Sequence, residues 1–151
     1  MVMATKYFGE ITVKNEELIR FPQGLFGFED NKEFVIVQFE PDNDSIFCLQ
    51  SIEKETLAFV LINPFYLENE YNPDLNGMDL RDIEADSKTS LAYYVICVVN
   101  EVFEQSTVNM KCPIVVNCDT RKAKQVILEN DEYSMRQVIA SFNEKEAAQK
   151  C

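Results

Sequence analysis

Histidine is absent from the 151 residues. That absence removes Ser-His-Asp and Cys-His catalysis, His-ligated zinc and a histidine pH switch together. Glycine is scarce, with four residues at 9, 24, 27 and 77. A phosphate-cradling loop or dinucleotide fingerprint needs clustered glycines, and only Gly24 and Gly27 lie close together. Positive charge is also short: 14 Lys and Arg face 26 Asp and Glu, a net −12. This argues against nucleic acid or an anionic membrane as a direct ligand. The five cysteines (48, 97, 112, 118, 151) contain no Cys-x-x-Cys pair, so zinc-site and thioredoxin-like readings lack their spacing. Asp79-x-x-Asp82 lacks the Asp-x-Asp-x-Asp-Gly pattern of a calcium loop. No metal or cofactor is expected. The longest strongly apolar run, Leu91 to Val99, is nine residues, less than half a membrane span. The N-terminus shows no basic region followed by an apolar stretch, so the expected location is the cytoplasm.

What is present is a globular composition, 46% hydrophobic and 26% charged. We expect one domain over residues 1–142 and a tail over 143–151. Period-two patterning dominates the first two thirds. Tyr7 to Val13 alternates as a half-buried first strand; Phe34 to Phe39 and Ile46 to Ile52 follow. Leu57 to Ile62 closes a hairpin across Glu53-Lys54-Glu55. Leu91 to Val99 is apolar at nearly every position and reads as a central strand buried on both faces. Ser106 to Met110, Ile114 to Asn117 and Gln125 to Leu128 complete the set, with Pro113 at a strand start. Cys48 and Cys97 read as small core residues. The fold class is mostly β: a single-domain antiparallel β roll or barrel with short helices, including a C-terminal amphipathic one. That helix is read from Met135, Val138, Ile139 and Phe142 at i, i+3, i+4 and i+7. Ser134 and Gln137 form its capping box, and Tyr133 staples to Val138.

Charge is unevenly spread. Residues 29–86 carry fifteen acidic side chains against Lys32, Lys54 and Arg81, which accounts for the whole net charge. Within the segment, Asn76-Gly77 reads as a turn. Such a run is either a solvated loop surface or an acidic face for a basic partner. Asp79, Asp82, Glu84 and Asp86 are its candidate contacts.

Three local patterns stand in a fixed order. The first is Phe21-Pro22-Gln23-Gly24-Leu25-Phe26-Gly27-Phe28-Glu29-Asp30 running into a strand. The second is Leu49-Gln50-Ser51, then Leu57-Ala58-Phe59 and Asn63-Pro64-Phe65. The third is Val108-Asn109-Met110-Lys111-Cys112-Pro113-Ile114-Val115-Val116-Asn117, then Gln125 to Leu128 and Tyr133-x-x-Arg136. The ordered set resembles the FliW family of flagellar assembly factors over roughly residues 5–138. Phe26 stands where the family commonly has proline, and Lys122-Ala123-Lys124 where it usually has glycine.

The resemblance implies a non-enzymatic cytoplasmic regulator with two competing protein partners. One is flagellin. The other is CsrA, a basic RNA-binding translational repressor whose block on flagellin synthesis the factor relieves. Neither nucleic acid nor membrane is a direct ligand. Phe26 and Phe28 either fill the domain's own core or are aromatic anchors for an amphipathic flagellin helix, while Asn109, Tyr133 and Arg136 are scaffold residues first and contacts second. The alternatives are a carboxylate-based enzyme, which needs two convergent carboxylates in a pocket, and a small-molecule-binding β-barrel.

Overall fold

The strand Leu91–Val98 shows how the architecture is built. In a strand, successive side chains leave opposite faces. Leu91, Tyr93, Val95 and Cys97 pack into one hydrophobic cluster, and Ala92, Tyr94 and Ile96 into another. The expected burial on both faces is therefore met from Leu91 to Cys97 by two cores separated by one sheet, whereas Val98 and Val99 are exposed. Neighbouring strands divide in the same way: Leu61 enters one cluster and Ile62 the other, as do Ile114 and Val115.

The computed structural model describes residues 1–142; the expected tail, 143–151, lies outside the described residues. In chain order the elements are β1 (Val2–Ala4), β2 (Glu10–Thr12), β3 (Ile19–Arg20), β4 (Glu33–Gln38), β5 (Ile46–Ser51) and β6 (Ala58–Ile62). Two short helices follow, α1 (Pro64–Leu67) and α2 (Gly77–Asp82). Then come β7 (Leu91–Val98), β8 (Thr107–Val108), β9 (Ile114–Asn117), β10 (Ala123–Gln125) and β11 (Gln137–Val138). The main sheet runs β10-β9-β7-β6-β5-β4-β3, with antiparallel pairing throughout. β7 branches: Leu91 to Tyr94 pair with β9, while Cys97 and Val98 pair with β8, which in turn carries β11. β1 and β2 form a separate hairpin.

The sheet rolls until its edges meet at a parallel bridge between Arg20 and Lys122, with Arg20 N–H donating to the Arg121 carbonyl at 3.0 Å, and no continuous ladder joins them among the described residues. The result is a roll rather than a closed barrel. Buried Gln50 ties the β1–β2 hairpin to the body. Its Oε1 accepts from Lys6 N–H at 3.0 Å, while its Nε2 donates to the Glu55 carbonyl at 3.0 Å in the β5–β6 turn. Cys48 and Cys97 are buried as expected, and burial pushes both thiols up to about 11.

Four expectations are corrected in detail. The strand expected over Gln125 to Leu128 is instead Ala123–Gln125, so only Gln125 is shared. Tyr7 to Val13 is a strand only over Glu10–Thr12. The Thr5 hydroxyl accepts from Phe8 N–H at 2.9 Å and donates to the Gly9 carbonyl at 2.7 Å, which bends Tyr7 and Phe8 into a hairpin loop. Asn76-Gly77 opens α2 instead of a turn, because Asn76 Oδ1 caps Asp79 N–H at 2.8 Å. The C-terminal helical residues begin at Ala140, not at Ser134. β8 takes Gln137 and Val138 as strand partners, and Ser134 caps only Arg136 N–H, at 3.1 Å. Met135 is left exposed, whereas Ile139 and Phe142 do reach the core. Tyr133 packs on Tyr71 at 4.8 Å instead of stapling Val138.

Candidate functional site

The loop Phe21–Asp30 has a fixed floor and an exposed tip. Phe21 and Leu25 are fully buried, and Phe21 stacks edge-on against Phe34 at 5.4 Å. Gly24 adopts φ +68, and a Cβ there would lie 2.5 Å from the Glu29 Cα, so the loop closes on itself only with glycine. The tip then projects Phe26, 50% exposed, and Phe28, 39% exposed. Phe28 rests edge-on against Phe59 at 5.2 Å, whereas no ring contact holds Phe26 among the described residues. Phe26 is instead held by its backbone, whose N–H donates to Gln125 Oε1 at 3.0 Å. Of the two candidate anchors, Phe26 is the one presented to solvent from a constrained backbone.

Beside this loop lies α2. Lys124, from β10, donates from one ammonium to Asp79 Oδ1 at 2.8 Å and Asp82 Oδ2 at 2.7 Å. Gln23 Nε2 donates to the same Asp82 oxygen at 3.1 Å. One carboxylate thus joins the aromatic loop, the helix and the sheet. The hydrogen bond from Lys124, helped by that from Gln23, holds the Asp82 carboxyl below its ordinary range. Burial alone would lower the Lys124 ammonium; its hydrogen bonds to Asp79 and Asp82 prevail and raise it. Glu84, at φ +58, pairs with Lys122 at 2.8 Å. Asp86 caps the turn into β7, accepting from Lys88 N–H at 2.8 Å, and that bond lowers its carboxyl. Asp79, Asp82 and Glu84 thus already face the chain's own lysines and present less unpaired charge than a count of acidic residues implies.

The remaining candidates sit around the next corner. Asn109 Oδ1 accepts from Cys112 N–H at 2.9 Å, satisfying the backbone where β8 ends. Tyr133 Oη accepts from Asn72 N–H at 2.8 Å. Arg136 is exposed, and no ion pair holds it among the described residues. A cavity of about 330 Å³, lined by Asn72, Asn76, Asp79 and Ile127, lies between α2 and this corner. The structure therefore ties the Phe26 loop to Asp79 and Asp82 indirectly, through Gln23, Lys124 and Gln125, and does not bring Asn109, Tyr133 and Arg136 into that group. Lys124 and Gln23, which tie the first group, were not among the candidates. Their partners lie 42–59 positions away, and no local spacing signals them.

Fold and surface together define a class: an acidic antiparallel roll with an exposed aromatic loop tip and exposed carboxylates, in which Asp79 is buried. Comparison with known proteins places it further. The family model described as FliW protein matches residues 2–139. Flagellar assembly factor FliW of Ruminiclostridium cellulolyticum is 34% identical over 146 residues, covering 97% of this chain and 99% of that protein. Flagellar assembly factor FliW of Oceanobacillus iheyensis is 36% identical over 141 residues, covering 93% and 95%. A solved crystal structure of the flagellar assembly factor FliW superposes with a TM-score of 0.84 at 37% identity, covering 92% of this chain and 96% of that one. The chain belongs to the FliW family.

Proposed function

We propose that this chain is a cytoplasmic, non-catalytic flagellar assembly factor. In this reading it binds flagellin and, by binding CsrA, relieves repression of flagellin synthesis. The observation that carries the reading is family membership over nearly the full chain, among relatives named for flagellar assembly. The surface adds support. Phe26 offers an exposed apolar anchor for an amphipathic helix, and Glu29 in the same loop and Asp82, tied to the loop through Gln23, add carboxylates suited to a basic partner. Phe28, Glu84 and Asp86 extend that surface, while Asp79 is buried against Lys124 and supports it from beneath rather than contacting a partner; Asn109, Tyr133 and Arg136 complete the candidate contacts. No helix among the described residues is long and apolar enough to cross a membrane.

The test is capture by the purified chain from a motile cell lysate, followed by titration with each purified partner. Flagellin and a small basic RNA-binding dimer are the expected species, and recovery of neither would sink the reading. With both in hand, Phe26→Ala separates the sites. Loss of flagellin binding with CsrA binding intact indicates distinct surfaces, and loss of both in a folded variant indicates a shared one.

A further inference from the structure

The seam where β3 meets the β9–β10 turn differs chemically from the rest of the surface. Three other cavities of this molecule are rimmed by carboxylates: Glu40, Asp42 and Asp44; Glu68, Glu70 and Glu132; Asp74, Asp79 and Glu129. At the seam a cavity of about 210 Å³ is instead lined by Arg20, Arg121 and Lys122, together with Asn15, Thr120 and a single carboxylate, Glu16. This is several times the ~30 Å³ share of one water molecule. Concentrating three cations in a chain of net −12 needs a reason.

Arg121 is the unusual member. Its backbone sits at φ +64, a conformation that favours glycine and costs an L side chain strain. Its guanidinium donates to the Glu17 carbonyl at 3.0 Å, yet its Nε is buried with no acceptor among the described residues. A buried charged donor left unpaired is costly, and the guanidinium fork is shaped to present paired N–H groups to an oxyanion. Of the two flanking cations, Arg20 is only lightly committed elsewhere, meeting Glu33 at a long 3.5 Å with most of its side chain exposed, whereas Lys122 is paired at 2.8 Å with half-exposed Glu84.

We propose that this seam binds a compact oxyanion of the phosphate or carboxylate type. The Arg121 guanidinium lines the cavity as the central charge, Arg20 and Lys122 supply further charge at the rim, and Asn15 and Thr120 are neutral donors. Bound there, the anion links the Asn15–Arg20 segment to the Thr120–Lys122 turn and reinforces the closure that one parallel bridge provides. The surrounding acidic field opposes anion binding and keeps the affinity modest.

The experiment is nitrogen-15 NMR of the full chain, following the Arg121 Nε–H signal and the Asn15 and Thr120 amides. Inorganic phosphate, acetate and chloride are added separately at matched ionic strength. We expect a saturable shift at all three positions with phosphate or acetate but not chloride, the stronger of the two identifying the ligand type. Arg121→Gly accepts the left-handed backbone, so it should fold and melt normally while losing the response at Asn15 and Thr120. An equal response to chloride, no saturable shift, or persistence of the response in folded Arg121→Gly would each overturn the proposal.

Discussion

The floor and the tip of the Phe21–Asp30 loop are built from the same residue types with opposite outcomes. At the floor, Phe21, Gly24 and Leu25 are enclosed and the backbone has no slack. At the tip, Phe26, Gly27 and Phe28 are of the same chemistry, but Gly27 has nothing within 4 Å of where a Cβ would stand, and both rings reach solvent. The same composition thus serves packing in one half and presentation in the other. What separates them is whether the surrounding chain leaves room. A rigid base is what allows apolar side chains to stay exposed, because the loop cannot fold them back to bury them. Preorganisation of this kind reduces the ordering cost of binding.

That contrast can be broken most severely at the floor. Gly24→Ala adds left-handed strain and a clash with backbone atoms of Glu29, which cannot swing aside as a side chain could. We expect a loss of about 3 kcal/mol, a drop in Tm on the order of 10 °C. Next is the clasp behind the loop. Lys124→Met leaves Asp79 and Asp82 facing each other without their shared cation, and urea unfolding should show a loss of about 2 kcal/mol, less than for a fully enclosed pair because Asp82 is partly exposed. The clasp also has a pH signature. The folded-state pKa of Asp82 is depressed, so its contribution is present above the unfolded value of about 4 and disappears as pH falls through the folded value. The acid limb of the stability curve should therefore be shallower in Lys124→Met than in the parent chain.

At the tip the effects shrink. Gly27→Ala meets no neighbour and bears only its φ of +84, so a loss of about 1 kcal/mol is expected in the same unfolding measurement. A loss equal to that of Gly24→Ala would erase the distinction between the halves. Phe26→Ala should change stability by less than about 0.5 kcal/mol. Its effect belongs to binding: calorimetric titration with flagellin should lose about 2 kcal/mol, roughly thirtyfold in Kd. A large stability loss with unaltered binding would make Phe26 a packing residue and remove the tip from the recognition surface.

The fold was largely legible because the sheet is sandwiched between two cores, so its longer strands show apolar runs or alternation, whereas the short edge strands β3 and β10 carry too few residues to show a period. β7 and β9 are the clearest cases. Legibility failed where tertiary pairing outweighed local pattern. Met135, Val138, Ile139 and Phe142 satisfy helical spacing, yet β8 offered an edge whose backbone groups needed partners, and Gln137-Val138 supplied them. α2 was hidden for another reason. It is six residues long and begins at a glycine, so Asn76-Gly77 matched turn chemistry as well as it matched a cap. For the candidate surface, the aromatic loop and the acidic segment were both visible as motifs, but their joining through Lys124, Asp82 and Gln23 was not. A lysine two residues from another lysine has no local mark of being nearly enclosed between two aspartates.

The seam between β3 and the β9–β10 turn has a consequence for synthesis. Arg121 reaches back across 104 positions to Glu17, whereas β3, β4, β5 and β6 pair with immediate sequence neighbours. A nascent chain can therefore assemble the first meander as it leaves the ribosome, but the outer edge of β3 has no partner until β10 has emerged. During that interval a strand edge and the floor of the aromatic loop are open to other chains, the kind of exposure that recruits chaperones or promotes misassembly. High contact order at this one junction makes it the slow step of closure. Moving the termini by circular permutation, so that β10 precedes β3, would shorten that wait while keeping the Arg20–Lys122 bridge and the Arg121–Glu17 hydrogen bond.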